Sequence, residues 1–254
     1  MPIEIVTVPC RSDNYAFVIH DGSRAVLVDA PEARPILDVL TARGLDLGHV
    51  VLTHHHADHV EGLDGLRDAF PTLRVIGASA DAHRLPPLDL GVEEGDTFDI
   101  LGLEARVIDV SGHTVGHIAI HLPDARAVFT ADSLMALGCG RVFEGTPEMM
   151  WTSLGKLAAL PDDTTVYSGH EYTLTNARFA LTIEPDNAAL KRRAAEVERA
   201  RDQDRATVPS SLAEEKATNP FLRAHLHEVK RAISMTGAAD AEVFAEIRSR
   251  KDRF

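Results

Sequence analysis

The chain has 254 residues, 44% hydrophobic and 26% charged, the make-up of a soluble globular protein with room for one large domain, or one domain and a smaller companion. Lys and Arg number 26 against 39 Asp and Glu, a net charge of −13, and that balance argues against nucleic acid or an anionic membrane surface as partner. No apolar run approaches the roughly 18–20 residues that span a bilayer, Met1-Pro2-Ile3-Glu4-Ile5 has no basic segment of the kind that opens a secretory signal, and two cysteines, Cys10 and Cys139, are too few for a disulfide framework, so the cytoplasm is the expected compartment.

In chain order, Ile3 to Val8 and Ala16 to His20 are apolar or alternating and rich in β-branched residues, which predicts two strands, with a turn at Asp21-Gly22-Ser23. Ala25-Val26-Leu27-Val28 predicts a third strand, ending at Asp29. A helix follows from near Pro35 to Arg43, closed by Gly44, and His49-Val50-Val51-Leu52 predicts a short buried strand. The first third therefore reads as a hairpin-like β start followed by a β-α-β unit. Leu63, Leu66 and Ala69 have helical spacing and predict one helix from Val60 to Phe70, stopped by Pro71. Arg74 to Gly77 predicts a strand and Ala78 to Arg84 a short helix. Thr97 to Leu101 and Leu103 to Val110 predict strands about Gly102, and Ile118 to Leu122 and Ala127 to Thr130 a second pair about Pro123-Asp124. Residues 147–160 predict a helix with Pro147 in its first turn, and Thr165 to Ser168 a last strand.

From Glu171 onward the composition changes. Helices are predicted over 173–180, 188–201, 211–216, 222–233 and 240–247, and the Arg-, Glu- and Ala-rich stretch 191–205 reads as a solvated helix face. The change places a boundary near residues 170–173, with a mixed α/β domain over 1–170 and a smaller all-helical domain over 171–254.

The densest chemistry stands at the end of the buried strand. Thr53-His54-His55-His56-Ala57-Asp58-His59 holds four imidazoles and a carboxylate in seven residues. Burying such groups without partners costs on the order of a few kcal/mol each, so packing does not account for them, whereas nitrogen and oxygen donors at this density suit a transition metal. Alternation turns His55 away from its neighbours and gives it a supporting role. Three later residues repeat the same placement just after a strand. They are His113 in Ser111-Gly112-His113-Thr114-Val115-Gly116-His117, Asp132 in Thr130-Ala131-Asp132-Ser133, and His170 in Ser168-Gly169-His170-Glu171. A strand-end Asp alone is most simply a turn or helix cap; the recurrence at one kind of position carries the reading. His117 and Asp29 are further candidates for supporting the metal ligands.

The pattern His-x-His-x-Asp-His, then Gly-His-Thr, then a strand-end Asp, then Gly-His is similar to the metallo-β-lactamase superfamily. Within it the chain resembles the glyoxalase II, or hydroxyacylglutathione hydrolase, family. The supporting stretches include Gly138-Cys139-Gly140-Arg141, Phe143-Glu144-Gly145-Thr146, Gly169-His170-Glu171-Tyr172-Thr173, Asn219-Pro220-Phe221-Leu222-Arg223, and Arg248 with Lys251-Asp252. The resemblance implies an α/β fold, an αββα metallo-β-lactamase sandwich with catalytic residues in 1–170 and a helical glutathione-binding domain in 171–254. It implies two divalent metal ions, one held by His54, His56 and His113, the other by Asp58, His59 and His170, with Asp132 bridging. Zinc is the first expectation, and the same donors accept iron or manganese.

Two divalent ions sharing one water lower its pKa toward neutrality. The implied reaction is hydrolysis of the thioester of S-(2-hydroxyacyl)glutathione, S-D-lactoylglutathione above all, to glutathione and D-lactate, a methylglyoxal detoxification. Asp58 is assigned the further task of orienting the hydroxide. The resemblance assigns substrate binding to Arg141, Phe143, Tyr172, Arg248 and Lys251. Read alone, Arg248 and Lys251 look like a solvated tail, and Phe143 stands where the family often has a tyrosine, which removes a hydrogen-bond donor. The expected partner is the small-molecule glutathione thioester, with no nucleic acid, no membrane and a monomeric chain. The alternatives are a glutathione-dependent persulfide dioxygenase with one iron, another hydrolase of the superfamily such as a lactonase or β-lactamase, a nucleic-acid-processing member, and a metal-binding module without catalysis.

Overall fold

A computed structural model describes residues 3–254; Met1 and Pro2, on which part of the N-terminal reading falls, lie outside the described residues. Strands β1 (Glu4–Cys10), β2 (Asn14–His20) and β3 (Arg24–Val28) form an antiparallel meander. Helix α1 (Ala33–Arg43) then returns the chain to β4 (Asp46–Leu52), parallel to β3. After α2 (Ala57–Val60) and α3 (Leu63–Ala69) come β5 (Arg74–Ala78) and β6 (Leu90–Val92), both parallel additions, completing a sheet of order β1-β2-β3-β4-β5-β6. The expected β start and β-α-β unit are present. The three-residue β6 has no counterpart in the sequence reading, because so short an edge strand carries no periodicity.

β7 (Thr97–Ile100), β8 (Leu103–Asp109), β9 (Ile118–Leu122) and β10 (Ala127–Ala131) form an antiparallel run. A small ribbon follows, β11 (Leu134–Met135) and β12 (Gly138–Cys139). Helix α4 (Pro147–Ala158), with Thr146 capping Met149 N–H, leads to β13 (Thr165–Ser168). The second sheet has the order β14-β13-β10-β9-β8-β7, where β14 is Ser210–Ser211. The remaining helices are α5 (Thr173–Ile183), α6 (Ala188–Arg201), α7 (Leu212–Thr218), α8 (His227–Ala232) and α9 (Asp240–Asp252). No helix among the described residues is long and apolar enough to cross a membrane.

Contacts group the chain into two compact units, one running to Asp109 with Val115–Phe129, the other comprising Val110–Thr114 and Thr130–Phe254. In the first unit the sheet is buried on both faces. Ala16, Val18, Leu27, Val50, Leu52 and Val75 pack under Ile36, Leu40, Leu63 and Leu66 of α1 and α3. The alternate side chain Phe17 faces the other way and meets Phe129 at 5.6 Å between ring centroids. The parallel strands β3, β4 and β5 end on the same edge, which delivers Asp29, residues 53–59 and Asp81 to one place, as open parallel sheets do with their site residues.

In the second unit α5 packs on α6, where Ala177, Ala180 and Leu190 form a buried cluster with Leu137 of the β11–β12 turn. Arg193 departs from the expected solvated face. It is buried, donates to Glu215 and to Thr218 Oγ1, and the same Glu215 accepts Leu137 N–H at 2.9 Å. Asn219 donates to the carbonyls of Met135 and Gly138 and accepts Phe221 N–H, so the Asn219-Pro220-Phe221 stretch serves to anchor the β11–β12 ribbon.

Three expected helices differ from the observed ones. The short helix expected over 78–84 is only a 3-10 turn, Ser79–Asp81. The segment 222–233 is helical only from His227, after a turn in which Leu222 N–H bonds to Asn219 and Leu226 N–H to Arg223. The helix expected over 60–70 begins only at Leu63, with Val60 closing the separate short α2 and Glu61 and Gly62 between them. The cause is a close approach. Gly62 N–H donates to Ala30 O, Ala30 N–H donates to His59 O, and a Cβ on Gly62 would lie 2.7 Å from Ala33 N and 2.9 Å from Ala30 O. The segment bearing Asp58 and His59 is thereby pinned to the chain that follows Asp29. Gly62→Ala is expected to destabilise the protein by about 2 kcal/mol or more in urea unfolding, since the obstructing atoms are backbone and cannot step aside; an unchanged midpoint would show that this joint yields.

Candidate metal centre

In the first unit His54, His56, Asp58 and His59 come together around the end of β4. His54 Nε2 lies 3.1 Å from His56 Nδ1, the rings of His54 and His59 are 4.2 Å apart, and His59 Nε2 is 3.8 Å from Asp58 Oδ2. His54 and His59 are fully buried. Their outer nitrogens are fixed. His54 Nδ1 is 3.0 Å from Thr53 Oγ1, and His59 Nδ1 donates to Asp29 Oδ2 at 2.8 Å. Asp29 also accepts Thr53 N–H at 2.8 Å and Thr53 Oγ1–H at 2.9 Å. It does so from a left-handed backbone, φ 58°, which Asp tolerates better than most residues. Asn14 Nδ2 donates to Asp58 Oδ2 and to Asp58 O, both at 3.0 Å, and orients that carboxylate. His117 stacks on His54 with ring centroids 4.6 Å apart.

His55 faces elsewhere. Its Nδ1 lies 2.9 Å from Oδ2 of the fully buried Asp81, whose Oδ1 takes Arg84 Nε–H at 2.5 Å; Arg84 in turn donates to Val115 O at 2.8 Å. The sequence carried no sign of Asn14, Asp81 or Arg84, because they stand far from the motif and have no spacing of their own.

In the second unit Asp132 stands between two imidazoles, with Oδ2 3.4 Å from His113 Nε2 and Oδ1 3.3 Å from His170 Nε2. His113 Nδ1 donates to Arg141 O at 2.8 Å. Gly140 is required here, because a Cβ would sit 2.0 Å from Asp132 O and 2.9 Å from His113 Nδ1. Tyr172 stacks on His170 at 4.7 Å, and the exposed Phe143 ring lies 5.3 Å from His113.

Both sets share one design. An imidazole whose Nδ1 is held by a carboxylate, hydroxyl or carbonyl presents Nε2 as a lone-pair donor, the orienting arrangement used at metal sites. All donors are nitrogen or carboxylate oxygen, which fits zinc, iron or manganese. The sequence-predicted ligands are thus gathered into two donor sets, His54, His56, Asp58 and His59 in the first unit and His113, Asp132 and His170 in the second.

The cations expected to bind substrate also lie in the second unit. Arg248, buried, donates to Cys139 O at 2.8 Å and lies over the Phe221 ring at 5.1 Å. Lys251 sits between the faces of Phe179 and Phe254, 5.2 and 5.1 Å from their centroids. Burial, and then repulsion from Arg248, lower its pKa to about 8. Arg141 lies 5.7 Å from the centre of the Phe143 ring. Asp252, quoted in the sequence but given no role there, pairs with both Arg141 and Arg248. Burial pushes the thiols of Cys10 and Cys139 up to about 11.

Comparison with known proteins bears on this arrangement. Residues 11–170 match the family model described as the metallo-beta-lactamase superfamily, and residues 171–254 the one described as the hydroxyacylglutathione hydrolase C-terminus. The chain is 66% identical to a hydroxyacylglutathione hydrolase of Ruegeria pomeroyi and 59% identical to one of Roseobacter denitrificans, with 100% of each chain covered in both cases. Among solved structures it is similar to the BLEG-1 B3 metallo-beta-lactamase, with a TM-score of 0.67 at 20% identity, covering 86% of this chain and 99% of that one. That likeness is one of fold.

Asp29→Ala removes an acceptor from Thr53 N–H, Thr53 Oγ1 and His59 Nδ1 at once. The loss is expected to cost about 3 kcal/mol of unfolding free energy and to weaken zinc binding by about tenfold or more, read by urea titration and by competition with a chromophoric chelator. Zinc affinity equal to that of the parent would remove Asp29 from the support of the site.

Proposed function

The chain belongs to the hydroxyacylglutathione hydrolase family of the metallo-β-lactamase superfamily, and we propose that it hydrolyses the thioester of S-D-lactoylglutathione to glutathione and D-lactate, in methylglyoxal detoxification. The observation that carries the substrate is the pairing of buried Arg248 with Lys251 on α9, inside the segment matched by the hydrolase's C-terminal model. A solvated tail would need neither burial nor two aromatic platforms. Glutathione carries two carboxylates, and an acidic chain needs local cations of this kind to hold it. The lactonase and β-lactamase readings give no role to these cations.

We assign His54, His56 and His113 as the residues that would hold one divalent metal and Asp58, His59 and His170 as those that would hold a second, with Asp132 contributing to both; each of the two sets is a group of donors able to hold a metal ion. The two oxygens of Asp132, turned toward different imidazoles, support that shared role. Zinc is the metal we expect. Bound there, divalent metal supplies a hydroxide nucleophile at neutral pH and charge for the developing oxyanion. The chain's own residues do the rest. Asp58, aimed by Asn14, would orient the attacking water. Asp29 and Thr53 hold His59 and His54 in place. Arg141, Arg248 and Lys251 take the glutathione carboxylates, Tyr172 offers a hydroxyl, and Phe143 contributes its ring face. A thiolate leaves readily, because a thiol has a pKa near 8.5 and needs little help from an acid.

On this reading 1–170 is the catalytic domain and 171–254 the helical glutathione-binding domain of a cytoplasmic, monomeric enzyme. The test is an assay of thioester cleavage of S-D-lactoylglutathione with metal analysis on the same sample. Hydrolysis with two metal equivalents per chain is expected. No hydrolysis with two metals bound would defeat the proposal, and oxygen uptake with a single iron would favour the persulfide dioxygenase.

Lys251 adds a pH dependence. Its pKa is depressed to about 8, so its positive charge is present below that value and is lost as pH rises through it. KM for the lactoyl thioester is expected to rise between about pH 7 and 9, roughly in step with loss of the ammonium. Lys251→Arg, which keeps its charge throughout, is expected to flatten that rise; an equally steep profile in Lys251→Arg would assign the titration to another group.

A further inference from the structure

Asp252 is the point at which two of the three proposed substrate cations meet. Its Oδ1 accepts from Arg248 Nε at 3.2 Å, from Arg248 Nη2 at 3.0 Å and from Arg141 Nε at 3.2 Å. The two arginines depend on it unequally. Arg248 is 9% exposed and is held independently by Cys139 O and the Phe221 ring. Arg141 is 55% exposed on the chain after β12, and Asp252, 111 residues away, is its one ion-pair partner among the described residues.

Helix energetics do not explain an acid at this position. Asp252 is the last residue of α9, where the partial negative charge of the free carbonyls disfavours a carboxylate. The order is also the poorer one, since a base four residues before an acid interacts with the helix dipole less well than the reverse. What the carboxylate gains at this end is its two arginine partners. Lys251 lies beside it on the same helix turn, so three cations and one carboxylate leave a net of two positive charges, equal to the two carboxylates of a glutathione moiety.

We propose that Asp252 is a specificity-determining positioning residue: it ties the exposed Arg141 to the buried Arg248, so that both guanidiniums are already oriented when a glutathione carboxylate arrives. The inference rests on the reading of Arg141, Arg248 and Lys251 as the substrate cations. Ordering Arg141 before binding spares the substrate the loss of that side chain's rotamer freedom, the gain that preorganisation brings to any binding site. The tie lies in the binding step and not in the chemistry, so it predicts a change in KM rather than in kcat.

The experiment is steady-state kinetics of the metal-loaded, full-length enzyme with S-D-lactoylglutathione. Asp252→Ala is expected to raise KM about fivefold, the worth of one ordinary hydrogen bond, while kcat stays within about twofold. Asp252→Asn keeps an acceptor oxygen and is expected to restore KM to near the parental value. Asp252→Ala placed on Arg141→Ala is expected to add little, because the two residues act through one contact. An unchanged KM in Asp252→Ala, an equal rise in KM in both Asp252 variants, or full additivity with Arg141→Ala would each overturn the proposal. Arg248→Ala separates this from the underlying reading. A KM unchanged in Arg248→Ala sinks the substrate site itself, whereas a KM raised there beside an unaffected Asp252→Ala sinks only the role of Asp252. Circular dichroism on each variant identifies a loss of fold, and the Asn variant keeps the test open if Ala fails to fold.

Discussion

Taking His54 and His59 out of water requires partners for their outer ring nitrogens, and Asp29 is where that requirement is met. A buried polar atom without a partner costs on the order of a few kcal/mol. Asp29 answers it by accepting from His59 Nδ1, Thr53 N and Thr53 Oγ1 together, while Thr53 Oγ1 lies 3.0 Å from His54 Nδ1. Asp29 follows β3 and Thr53 follows β4, and these strands are paired in parallel. The register of one strand pair therefore sets the distance between the carboxylate and the loop it supports. The same chain continues into Ala30, whose N–H and C=O hold His59 O and Gly62 N–H, so the backbone and the side chain of His59 are anchored to consecutive residues.

The second unit meets the same requirement with different parts. Arg141 serves twice. Its carbonyl accepts from His113 Nδ1, and its guanidinium pairs with Asp252. One residue thus carries both the orientation of an imidazole and a link to the cations of α9. The close fit of Gly140 against Asp132 O and His113 Nδ1 holds this part of the main chain in place. A shift of the loop after β12 would move an imidazole's support and a cation together, which couples the two halves of the site mechanically within this unit.

What was legible in the sequence follows from separation along the chain. The histidine motif is contiguous, and the strands before it are apolar and rich in β-branched residues, so both could be read directly. His113, Asp132 and His170 were visible because each repeats the strand-end placement. The supporting residues were not. Asn14 touches Asp58 from 44 residues away, and Asp81 reaches His55 across 26 residues, and neither has a spacing that marks it. The break at Gly62 was hidden because Leu63, Leu66 and Ala69 keep helical spacing on either reading, and only the backbone near Ala30 shows why the helix cannot run through. Arg193 was misread as solvated because a helix rich in Arg and Glu looks the same whether or not a buried Glu215 lies under it.

Thioesters can also be cleaved by a cysteine nucleophile, and the chain's two cysteines bear on that route. The attacking species is the thiolate. Both thiols are buried, and burial raises both to about 11, which leaves about one part in ten thousand ionised at neutral pH. Arg248, close to Cys139 Sγ, lowers that thiol only partway, since desolvation is the larger effect, and the firm contact of Arg248 is with the Cys139 carbonyl at 2.8 Å. Cys139 therefore serves as a small buried residue whose main chain fixes a guanidinium. Both thiols are thus poor nucleophiles at neutral pH, whereas the buried imidazoles and carboxylates of the candidate metal centre already have their outer atoms held.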